Sequence, residues 1–179
     1  YRSRALSRWL ALLGAVSALC FSQLAFWQAV QVPGLRSYEL LSSWYASGTQ
    51  STPLGVYVDA TDAVMLAMVG IVCLMIFVYS LGYMRGDPED SRFFAYVSLF
   101  AGAMLGAIVC DNLLVLFVFW EIMGACSYLL IGFWWERDTA VRASLKAFIV
   151  TKVGDLFLLL GLVLLYSQVG SLAYADVFE

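Results

Sequence analysis

The sequence has no histidine, and charged side chains make up only 13% of its 179 residues. The first absence excludes Ser-His-Asp and Cys-His catalytic arrangements, His metal ligands and an axial His for haem. The second absence, beside 63% hydrophobic residues, points away from a soluble domain, which carries roughly 25% charged residues and is about half apolar. The net charge of −3, from ten basic and thirteen acidic residues, leaves no electrostatic footprint for nucleic acid. There is no glycine-rich phosphate loop, no G-x-G-x-x-G, no C-x-x-C and no cysteine cluster for iron–sulfur. Cys20, Cys73, Cys110 and Cys126 all lie in apolar runs and read best as small buried apolar residues. No redox cofactor site is legible, so any part in redox enzymology is that of an ion-moving element.

What the sequence has is long apolar runs. Crossing a hydrocarbon core of ~30 Å takes ~20 residues of helix, and five stretches qualify: 9–32, 63–84, 93–110, 112–135 and 143–166. The first three carry no charge. The fourth carries Glu121, and the fifth carries Lys146, Lys152 and Asp155. Period-two alternation is absent, which argues against a membrane β-barrel, and helices satisfy their own backbone hydrogen bonds as lipid demands. The expected fold is therefore all-α and integral to the membrane, with five transmembrane helices. The first run is longer than a signal-peptide core and no A-x-A site follows it. The chain opens on Tyr1 rather than Met, so the expectation is that something was removed or lies outside it.

Residues 1–8 form a basic flank. Residues 33–62 form a polar loop with Gly34, Gly48, Pro53 and Gly55, in which 56–58 is a candidate short strand. Residues 85–92 form a tight Gly/Pro turn; its acidic residues read as solvated. Asp111 and Asn112 alone separate the third and fourth runs, which makes those two a hairpin. Residues 167–179 are too short and polar to cross again, and Val169, Leu172 and Phe178 in them suit an interface. With the N-terminus on the cytoplasmic or matrix side, that side receives Arg2, Arg4, Arg8, Arg85, Arg92, Arg137 and Arg142. The opposite side receives Arg36 alone, a bias that supports five spans.

Three intramembrane charges carry the candidate chemistry. Glu121 falls near mid-membrane, where a carboxylate is costly unless paired, hydrated or protonated. A carboxyl balanced between desolvation and a nearby cation can take up and release a proton. The alternative is a protonated Glu that joins helices by a hydrogen bond; transport is favoured because ionisable groups at that depth usually serve it. Glu121, Gly124, Ala125 and Tyr128 share a helix face on which small residues let another helix approach the acid. Lys152 and Asp155, three apart, can pair either as a structural clip or as a switchable ion pair. Lys146 reads as snorkelling to the headgroups. Thr151 and Ser127 bond either across helices or to their own preceding turn. Asp111 is read as the cap of the helix beginning at Leu113, rather than as a proton exit. Gly102 and Gly106 form a G-x-x-x-G for close helix packing.

Ordered motifs then point to a family. Residues 91–100 (SRFFAYVSLF), 111–114 (DNLL), 120–133 (WEIMGACSYLLIGF) and 146–155 (KAFIVTKVGD) resemble the antiporter-like subunits of respiratory complex I. They are most like the largest of these, chain 5 in mitochondria or chain L in bacteria, with relatives in Mrp-type sodium/proton antiporters. The resemblance runs from about Tyr57 to Leu172. It implies that Glu121 is the fifth-helix glutamate that forms a proton half-channel with a lysine on a later, broken helix. It also implies that Lys152 and Asp155 stand where the family has a sixth-helix Arg-x-x-Asp. Lysine is a departure, since it is a point charge rather than a bidentate fork. Lys146, Asp111, Tyr128 and Thr151 are accessory candidates.

Family members have two inverted repeats, each with a broken helix. The resemblance implies that this chain corresponds to the second to sixth helices, one part of a larger antiporter-like bundle. The expected function is part of a proton-translocating, non-redox membrane subunit of NADH:ubiquinone oxidoreductase. The rivals are a subunit of an Mrp-type antiporter and a purely structural membrane subunit. The resemblance implies no cofactor in this chain, with flavin, iron–sulfur clusters and quinone in other subunits. It also implies partners among complex I membrane subunits. One of these, or a longer form of this chain, supplies the missing helices and lysine. The expected location is the mitochondrial inner membrane, with a bacterial cytoplasmic membrane as the alternative.

Overall fold

A computed structural model of the chain describes residues 2–32, 42–47 and 50–178. Arg36, Gly34 and Gly48 of the expected loop lie outside the described residues, as do the side chains of Arg2, Arg4 and Pro53. Five long helices form the membrane part: α1 Arg2–Gln31, α2 Ala60–Tyr83, α3 Asp90–Val109, α4 Leu113–Ile131 and α5 Asp138–Val169. A short sixth helix, α6, spans Tyr174–Phe178. All five long helices are long and apolar enough to cross a membrane, so the all-α, five-span expectation matches the structure.

Several limits differ from the apolar runs. The basic flank is helical, because no Gly or Pro stops α1 from extending past the apolar stretch to Arg2. α5 reaches 32 residues, beyond what a crossing needs. It starts on Asp138, whose charge suits a helix N-terminus. It ends at Gly170, whose φ of 80° places the cap in the left-handed region, with its N–H donated to Tyr166 O at 2.8 Å.

The strand expected at 56–58 is not there. A hairpin lies upstream instead, β1 Ser42–Ser47 pairing antiparallel with β2 Gln50–Leu54. Val56 makes only an isolated bridge to Cys110. The physical reason is at Asp59, which caps α2 through a reciprocal box with Asp62. The helix therefore starts before a strand has room to develop.

α1 packs against α2 and α3, α3 against α4, and α4 against α5. Phe77, Met84, Phe94, Val97 and Phe133 form the core with Ala15. Most other large apolar side chains point outward, as expected for faces met by lipid or other helices rather than water. The G-x-x-x-G on α3 is used at one of its two glycines. A Cβ at Gly106 would enter the Phe119 ring of α4, whereas one at Gly102 would meet nothing within 4 Å.

Polar links tie the two ends. At one end Arg8 of α1 pairs with the fully buried Asp90 that starts α3. Arg92 donates to Phe133 O at 3.1 Å and pairs with Glu89 at 3.2 Å. Arg137 lies 5.3 Å from the Trp134 ring centroid, and the Trp134 indole donates to Asp87 at 3.2 Å. Arg8, Arg92 and Arg137 thus gather at one end of the bundle, as the charge bias required.

At the other end three segments join through backbone bonds. Tyr57 N donates to Val109 O, Leu113 N to Leu172 O, and Tyr174 N to Asp111 O, each at 2.9 Å.

Candidate functional site

The site forms where α4 meets α5. Asn112 sets the start of α4: its backbone is extended and its side chain accepts from Leu114 N at 2.8 Å. This corrects the sequence reading, in which Asp111 was the cap. Asp111 is one residue too early to reach the free N–H groups of the first turn. It lies instead against Gly55, where an added Cβ would collide with its carboxylate. Removing the cap with Asn112→Ala is expected to cost about 1 kcal/mol. The check is a thermal-melt comparison of the purified protein; an unchanged melting point would mean the cap is idle.

Glu121 is the ninth residue of α4, about 12 Å along the axis from Leu113. Two glycines let α5 approach on that side. A Cβ at Gly132 would press on the Ser144 hydroxyl at 2.9 Å, and one at Gly124 would stand 3.7 Å from the Lys152 ammonium. Lys152 Nζ therefore reaches across to Glu121 Oε2, with which it forms an ion pair. The same nitrogen lies 3.1 Å from Asp155 Oδ2, one turn along α5. The Trp120 indole Nε1–H donates to Asp155 Oδ1 at 3.0 Å. Phe148 places its ring centroid 5.5 Å from Nζ and packs on Tyr128 at 5.1 Å.

One ammonium thus serves two carboxylates, an arrangement that suits lysine's compact, rotatable charge better than a planar guanidinium. The two acids are not equivalent. Asp155 keeps 10% of its side-chain exposure and Glu121 32%, so Glu121 is the one open to a further group. The cluster carries a net −1 with both acids ionised. Such a site can hold a proton or let one leave as the lysine shifts between acids.

The structure brings Glu121, Lys152 and Asp155 together, which sequence spacing did for Lys152 and Asp155 alone. Gly124 and Tyr128 face α5 as their shared face required, while Ala125 is exposed. Thr151 is exposed and bonds its own preceding turn at Phe148 O, 2.9 Å away; Ser127 does the same with Met123 O. Lys146 is exposed and outside the cluster, as a snorkelling lysine is.

Asp111 lies at the far end of α4, in a junction with Cys110 and Tyr174, whose sulfur and hydroxyl are 3.7 Å apart. Burial pushes the Cys110 thiol up from its ordinary range, and burial pushes the Tyr174 phenol well above its own. Both groups are neutral at working pH. Trp120 was missed in the sequence because an indole inside an apolar run reads as lipid-facing bulk.

Five membrane-length helices define a multi-pass membrane protein with a carboxylate–ammonium–carboxylate cluster between two of them. The family model described as NADH:quinone oxidoreductase/Mrp antiporter, TM, matches residues 110–179. The one described as NADH-Ubiquinone oxidoreductase (complex I), chain 5 N-terminus, matches residues 44–94. The chain belongs to this family of antiporter-like membrane subunits and corresponds to an N-terminal portion of chain 5.

It is 42% identical over 93% of its length to NAD(P)H-quinone oxidoreductase chain 5 of Synechocystis sp., and spans 24% of that protein. It is 46% identical over 83% of its length to subunit 5 from the organellar chromatophore of Paulinella chromatophora, spanning 22% of it. It is 41% identical over 94% of its length to chloroplastic subunit 5 of Lemna minor, again 22% of it. The chain thus spans less than a quarter of these relatives. Among solved structures, the archaeal membrane-bound sulfane sulfur reductase, a respiratory membrane complex, contains a chain that superposes with a TM-score of 0.73. That match covers 99% of this chain and 39% of the other, at 19% identity, and supports the shared fold.

Proposed function

We propose that this chain forms part of a proton-translocating, non-redox membrane subunit of an NAD(P)H-quinone oxidoreductase. The observation that carries the proposal is the single Lys152 ammonium shared by Glu121 and Asp155 between two membrane-length helices. In this reading Glu121 takes up and releases the proton. Lys152 moves between the two acids and so alters the field at Glu121, and Asp155 is its fixed counter-ion. Moving one proton against the membrane potential costs about 2.3 kcal/mol per 100 mV, a cost met by redox chemistry in other subunits. Flavin, iron–sulfur clusters and quinone are placed there, and this chain is assigned none. The helices that complete the pathway, with the later lysine that the resemblance implies, lie outside these 179 residues.

The test is Glu121→Gln in the intact complex, with proton uptake measured in sealed vesicles beside quinone reduction. Pumping is expected to fall at least tenfold, the scale of losing a charge-assisted contact in an apolar site. Normal pumping in an assembled variant would overturn the role and leave the structural reading of these charges. Sodium dependence would move the chain to the Mrp class, which the matched family model also names.

The membrane assigned is an energy-coupling one, with the end that carries Arg8, Arg92 and Arg137 on its cytoplasmic, stromal or matrix side. The relatives above are cyanobacterial, chromatophore and chloroplastic, which favours a bacterial or plastid membrane over the mitochondrial inner membrane first expected.

A further inference from the structure

We infer that Trp120 is a positioning residue of the proton site: its indole N–H pins Asp155 so that the Lys152 ammonium keeps a fixed anion on one side and meets Glu121 on the other. The inference rests on the proton-transfer reading above. Each Asp155 oxygen has its own donor. Oδ1 accepts from the Trp120 indole at 3.0 Å, and Oδ2 lies 3.1 Å from Lys152 Nζ.

An indole has one N–H and no acceptor. It therefore holds the carboxylate without competing for it as a counter-charge and without binding the lysine. Trp120 and Glu121 are consecutive on α4, so their side chains diverge by about 100°. One residue fixes the acid that stays while the next carries the acid that exchanges. With Leu116 and Phe117 of α4 and Leu158 and Leu162 of α5, the indole lines a small apolar cavity between the two helices, and the ring is half exposed. Without the clamp Asp155 can turn about its side-chain bonds, and the ammonium no longer has a fixed anion to return to as it exchanges with Glu121.

The test uses Trp120→Phe, which keeps ring bulk and removes the donor, in the intact complex. Pumping per quinone reduced is expected to fall about tenfold or more with normal assembly, the scale of one hydrogen bond to a charged group. Trp120→Gln, which returns an N–H at similar reach without the ring, is expected to recover at least half of it. The carboxylate stretch of Asp155, isolated as the infrared difference between the unsubstituted protein and Asp155→Asn, is expected to shift in Trp120→Phe. Normal pumping in Trp120→Phe overturns the inference, as does lost pumping with an unmoved Asp155 band. Glu121→Gln measured alongside separates the cases. If it pumps normally, the proton-transfer reading has failed; if only Trp120→Phe does, the reading stands and the clamp is wrong.

Discussion

Lys152→Met is expected to stop proton pumping and to reduce the amount of assembled subunit, a double loss that Glu121→Gln does not produce. In Glu121→Gln the lysine still pairs with Asp155 at 3.1 Å, so no charge is stranded. In Lys152→Met the two carboxylates lose the one ammonium they share. Charges about 4–5 Å apart repel by roughly 3–4 kcal/mol at an effective dielectric near 20, and no cation is left between them to offset it. The measurements are blue-native gel quantity for assembly and a pH-dye assay on sealed vesicles for pumping. Lys152→Arg restores the charge and is expected to recover assembly, because Gly124 leaves room beside the ammonium. Full pumping in Lys152→Met would remove Lys152 from the pathway.

The second large effect is expected far from this site, at the pair joining α1 to α3. Asp90 is fully buried, while the Arg8 side chain retains 31% of its exposure. The two single substitutions should therefore be unequal. Arg8→Met keeps the packing stem but leaves Asp90 buried and uncompensated, a loss of about 3–5 kcal/mol. Asp90→Ala frees an arginine that can reach water, and is expected to cost about 1–2 kcal/mol. Because the penalty lies in the stranded carboxylate, Arg8→Met combined with Asp90→Ala should resemble Asp90→Ala alone. Thermal denaturation of the three variants decides this. Equal losses in both singles, adding in the double, would mean that the pair is not coupled.

How much of this was legible beforehand differs by residue. Glu121 stood out because a single carboxylate inside an apolar run is costly and thus needs a reason. Lys152 and Asp155 were joined by helical spacing alone. Neither argument could join Glu121 to Lys152, thirty-one positions away, since that contact depends on which faces of α4 and α5 meet. The Asp111 cap failed over one residue, because capping depends on backbone angles at Asn112 that the residue pair DN does not specify. The expected strand failed because Asp59 begins a helix too soon.

The sequence by itself determined that this is a helical membrane protein of five spans, which end carries the arginines, and which three charges lie deep in it. Those conclusions follow from the cost of burying charge and from the length of helix that crosses lipid, both local properties of the chain. Only the tertiary structure decided that one ammonium serves two acids, that an indole holds one of them, and that Arg8 covers Asp90. Each of those depends on how helices pack side by side, which glycines at 70, 106, 124 and 132 help to set by permitting close approach.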